Sequence, residues 1–88
     1  MDIVVIEAKA HGESGHVEVT VQAVETDGAG NTTRGPIKTY GISADVLLSG
    51  YNGSVDMFLR DVKIKHQNFH MLHKDLISSL HAAKGTTL

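Results

Sequence analysis

The sequence predicts a small α+β domain: a three-stranded antiparallel β-meander, a short helix, and a long C-terminal helix packed on one sheet face. Three observations predict it. Up to about Ile42, apolar and polar residues alternate, which is the period of a strand. From Ser54 onward, apolar residues recur every three or four positions, as along one face of a helix. Between the alternating runs lie glycine-rich turns.

The first strand spans about 2–10. Simple alternation puts Val4, Ile6, Ala8 and Ala10 on one face, and Ile3, Val5, Glu7 and Lys9 on the other. The turn His11-Gly12-Glu13-Ser14-Gly15-His16 follows, with two glycines free to take positive φ. Residues 16–26 are the clearest strand. Val17, Val19, Val21 and Ala23 alternate with Glu18, Thr20 and Gln22, giving one buried and one wet face.

Asp27-Gly28-Ala29-Gly30-Asn31 is a second turn, and a third strand falls at about 33–42. Pro36 cannot donate to a ladder, so this strand lies at an edge or begins after Pro36. Ser43 is placed to cap a short helix at about 44–49, and Ser54 to cap a helix over 54–84. Asp56 in the first turn and Gly85 past the end complete the helix signature. Asp56/Arg60 and Asp61/Lys65 have the spacing of helical ion pairs. A rival reading makes Asn52-Gly53 the turn of a hairpin. The spacing of Val55, Phe58, Leu59 and Val62 favours the helix.

On a helical wheel, Val55, Phe58, Leu59, Val62, Phe69, Leu72, Leu76, Ile77 and Leu80 form one broad arc, expected to cover the sheet. Met57, Ile64 and Met71 lie nearly opposite, seven residues apart. A sheet-covering helix should be wet there. The stripe is therefore a candidate dimer or partner interface, since this spacing suits helix-on-helix packing.

Six histidines stand in the 88 residues. His66, His70 and His73 fall on one side of the long helix, with His81 beyond, and are candidate ligand or metal groups. Tyr40 and Tyr51 are candidates to line a cleft with them. Three ligands on one helix converge poorly, and no His-Glu-x-x-His motif is present. No metal or cofactor is expected.

The composition narrows the function. There are no cysteines, so a disulfide framework and a cysteine zinc site are excluded. A net charge of −2 without any Lys/Arg cluster argues against nucleic acid. The opening Met1–Ile6 run has no basic region and stops at Glu7, so neither a signal peptide nor a membrane span is expected. A cytoplasmic location is the corresponding expectation. Gly28-Ala29-Gly30 lacks the third glycine of a dinucleotide-binding loop and leads to a strand rather than a helix, so it is a hairpin turn. No catalytic residue is assigned. The function expected is a non-enzymatic, homodimeric interaction module, with a further protein partner unidentified. The alternative is a small-molecule binder or small enzyme, with a pocket between long helix and sheet lined by His66, His70 and His73.

Overall fold

The computed structural model describes all 88 residues. It shows an open antiparallel sheet of β1 (Asp2–His11), β2 (His16–Thr26) and β3 (Thr32–Ser43), in the order β1-β2-β3. Helix α1 (Ala44–Tyr51) and helix α2 (Val55–Ala82) follow, and α2 packs across the sheet. No helix is long and apolar enough to cross a membrane.

Each connection has a local cause. Asp27 Oδ1 accepts from the backbone N–H groups of Ala29 and Asn31, closing the β2–β3 turn. Ser43 accepts from the Val46 N–H and Ser54 from the Met57 N–H, so both serines act as N-caps. Asn52 takes a left-handed conformation at φ 53° and ends α1, and Gly53 follows at positive φ. The Asn52-Gly53 pair is thus a helix-to-helix corner, not a hairpin. Helix α1 runs to Tyr51, two residues beyond the expected end, because the stop signal is Asn52 rather than Ser49-Gly50. Helix α2 is continuous and stops at Ala82, two residues short of the expected end.

Two β-bulges set which side chains reach the helix. In β1, Val5 pairs with Val21 and Glu7 with Thr20, so Ile6 is an extra residue. The bulge reverses the alternation. Ile3 and Val5 share the helix-facing side with Ala8 and Ala10, while Val4, opposite Gln22, turns outward. This corrects the expected grouping of Val4 and Ile6 with the two alanines. In β3, Gln22 pairs with Ile37 and Val24 with Arg34, so Gly35 and Pro36 together oppose Ala23. The strand does not begin after Pro36. It passes through it, because the bulge lies in an edge strand where the missing N–H costs no ladder bond.

The core is small. Val19, Val21, Ala23 and Ile42 from the sheet meet Phe58 and Val62 from α2. Tyr40, Leu47, Tyr51 and Leu59 pack at its margin. Leu72, Leu76, Ile77 and Leu80, expected in this core, are exposed, as is Val55. The reason is geometric. The last side chains of α2 with a named partner on the sheet are His70, against Gly35 and Glu25, and Lys74, against Glu25. Beyond Lys74 the helix continues for eight residues, about 12 Å, and only Ile77 there still borders the sheet, across the cleft from Glu25 and Thr33.

Candidate functional site

The buried row of α2 is Phe58, Val62, His66, His70, each four residues after the last. Two histidines therefore continue the apolar core row. His66 is fully buried and His70 is 4% exposed. The sequence places them on one side of the helix as candidate ligands; the structure puts both inside the core. Helix α2 crosses the sheet obliquely, so its contact line follows the i+4 row and reaches both rings.

His66 Nδ1 lies 3.0 Å from the Tyr40 hydroxyl, with the two rings edge to face. With the ring proton on Nε2, Nδ1 accepts from Tyr40. Burial holds the His66 pKa below its usual 6.5. The Pro36 carbonyl offsets part of this, while His70 and Lys38 add to it. Nε2 has no partner of hydrogen-bonding geometry. Desolvation likewise pushes the Tyr40 hydroxyl above its usual 10.0. Lys38 lies 4.6 Å above the Phe69 ring and 5.3 Å from that of Tyr40, an arrangement of cation–π type that leaves the ammonium exposed.

His70 sits against the β3 bulge. A Cβ on Gly35 would collide with its ring, so glycine makes room for the imidazole. Gln22 Nε2 donates to the Gly35 carbonyl at 2.9 Å, fixing the bulge from the other side. His70 Nε2 is 3.5 Å from Glu25 Oε2, too long for a strong hydrogen bond. Lys74 Nζ holds the same carboxylate at 3.2 Å. Hydrogen bonding from Lys74 lowers the Glu25 pKa below 4.5. Partial desolvation opposes this, and His70 contributes in the same direction as Lys74.

A cleft of about 380 Å³ opens beside this cluster, lined by Glu25, Arg34, His70, His73 and Lys74 around the Gly35-Pro36 bulge. Of the three histidines expected together, His70 and His73 line it; His66 lies deeper, under Tyr40. Tyr51 is elsewhere. Its hydroxyl donates to Asp61 at 2.7 Å and its ring meets Phe58. That bond takes Asp61 away from the expected Lys65 pair, and neither Asp61/Lys65 nor Asp56/Arg60 forms an ion pair. No group of three or more His, Asp or Glu side chains is placed to hold a metal ion. His11 and His16 come together at the first turn, each 3.6 Å from a Glu18 oxygen and remote from the α2 histidines.

Arg34 and Glu25 were not singled out by sequence as part of this cleft. Arg34 pairs with Val24, so its side chain belongs to the outer face of the sheet and it borders the cleft only at the strand edge; nothing in the alternation of β3 announces a bulge except Gly35-Pro36 itself. Met57, Ile64 and Met71 all lie exposed on α2. At the other end of the helix, Ala8, Ala10, Val17, Leu47, Val55 and Phe58 border an apolar groove of about 280 Å³. Comparison with protein-family models, with curated proteins and with solved structures finds no match to this chain.

Proposed function

We propose that this chain is a non-enzymatic interaction module that works as a homodimer, with α2 as the contact element. The observation that carries the reading is surface area. A compact monomer of 9.4 kDa exposes about 5,000 Å², and this chain exposes 6334 Å². The surplus is on the order of 1,000 Å², comparable to the roughly 800 Å² that each partner buries in a standard interface. The radius of gyration, 16.7 Å against about 12 Å for a compact chain of this length, points the same way.

Met57, Ile64 and Met71 supply one uncovered stripe. Two-fold dimers are the commonest assemblies, and a stripe symmetric about Ile64 is complementary to itself in an antiparallel pair. Sedimentation of the wild-type chain and of Ile64→Asp tests the reading. A wild-type dimer that becomes a soluble monomer supports it. A wild-type monomer at high micromolar concentration removes it, and a variant that stays dimeric removes the stripe.

The cleft favours a second reading, a site for a small anion. His73 and Lys74 line it, Lys74 already paired with Glu25, and Arg34 borders its edge from β3. Titration with inorganic phosphate, followed by the His73 and Arg34 side-chain NMR signals, tests this. Unmoved signals at millimolar phosphate would exclude it.

A further inference from the structure

Leu76, Ile77 and Leu80 repeat the spacing of Phe58, Leu59 and Val62, five helical turns later at about 3.6 residues per turn. Along one continuous helix the two triplets therefore point the same way. Phe58 and Val62 are 7% and 2% exposed because the sheet lies beneath them. Leu76 and Leu80 are 53% and 70% exposed because the sheet has ended. The overhang is a second sheet-covering segment without a sheet.

A surface of matching character lies at the same end of the molecule. Asp2 and Ile3 pair with Val24 and Ala23, so β1 begins where β2 ends, the end over which α2 projects. Val5 faces the helix layer, because its partner Val21 does, yet it remains 48% exposed. Helix α2 starts over Ala8 and Ala10 and leaves over the β3 bulge, so it runs away from this corner of β1.

We infer that in the homodimer the overhang of each chain, through Leu76 and Leu80, covers Val5 at the corner of the other chain's sheet, beside Ile3, which packs in part on its own core. The occupant is a second copy for two reasons. Overhang and the uncovered Val5 sit at the same end, so one two-fold axis at that end satisfies both exchanges at once, and the contact closes on itself. The surplus area is also of the size each partner buries in a standard interface, and with its axis at this end the exchange replaces the pairing centred on Ile64 rather than adding to it. The inference rests on the homodimer reading but not on the stripe.

The chain has no cysteine, so engineered thiols report distances without background. A Val5→Cys chain is mixed with an isotope-labelled Leu80→Cys chain, oxidised, and weighed by mass spectrometry. Ile64→Cys serves as a reporter of stripe contact. Leu80→Asp is measured separately by sedimentation. The expected result is a mixed Val5–Leu80 disulfide in excess over either homodimer, and self-association of Leu80→Asp weakened at least tenfold. A wild-type dimer that gives Ile64–Ile64 cross-links but no Val5–Leu80 adduct overturns this inference and leaves the dimer standing. A wild-type monomer overturns both.

Discussion

Tyr40 and His66 are joined across the sheet–helix seam by a 3.0 Å hydrogen bond between the hydroxyl and Nδ1. This is the one side-chain hydrogen bond between β3 and α2. It lets an imidazole occupy a core position, since a buried polar group is tolerated when it is bonded.

Removing one partner should therefore cost more than removing both. Tyr40→Phe leaves Nδ1 without a donor and should destabilise the chain by about 1–3 kcal/mol. His66→Leu combined with Tyr40→Phe replaces both polar groups by apolar ones and should recover most of that loss. Urea unfolding of the two single variants and the double variant gives the cycle. Strictly additive losses would show that the hydroxyl and the ring do not depend on each other.

Acid should weaken the fold through His66. Burial depresses its pKa, so below the unfolded value of 6.5 the unfolded chain takes up the proton more readily than the folded one. The stability contributed by the neutral ring is complete above pH 6.5 and declines as pH falls below it. Glu25 adds a separate loss below 4.5, where protonation weakens its ion pair with Lys74. Unfolding midpoints measured from pH 7.5 to 5 should fall for the wild type and much less for His66→Leu. Equal slopes would assign the decline to other groups.

Gly35 should be the least replaceable of the loop and bulge glycines. A methyl group there meets the His70 ring, whereas one at Gly28 meets nothing within 4 Å. Gly35→Ala should cost about 1–3 kcal/mol by overpacking and displacing the helix. Gly28→Ala should be near neutral. Thermal unfolding of the pair distinguishes them, and similar midpoints would mean that His70 simply moves aside.

The overhang can be cut away. A chain ending at Lys74 keeps the buried row of α2 and its Glu25 contacts, so it should keep a helix-and-strand circular-dichroism spectrum and unfold cooperatively. In the dimer proposed above it should sediment as a monomer. Loss of secondary structure well beyond the deleted turns would show that the overhang stabilises its own chain.

The element order was legible because each element carries its period and its caps in adjacent residues. Ser43 and Ser54 marked both helix starts, and Val17 to Ala23 announced a half-buried strand. The bulges were not legible. A bulge at Ile6 is a property of pairing between strands, and alternation read along β1 alone assigns Ile3 and Val5 to the wrong face. The helical wheel likewise reported direction but not reach. It placed Leu76 and Leu80 correctly on the side of Phe58, yet only the register of the strands reveals where the sheet stops. Of the candidate site, His70 and His73 were found together from their spacing. Glu25 was missed because only the packing of α2 across β2 brings it to His70 and Lys74, and Arg34 because its place at the cleft edge depends on strand pairing.

Those same bulges guard the two open edges of the sheet against fibre formation. An exposed strand edge is a template on which other chains can add. On β3, Pro36 withholds a donor and the bulge kinks the strand, so a flat incoming strand loses its register there. On β1, the extra residue at Ile6 and the charged pair Glu7–Lys9 confine any regular, apolar template to Asp2–Val5. Four residues are shorter than the six or seven of a typical steric zipper. In the dimer proposed above, the chain would join a second copy by its helix while its strands resist endless stacking.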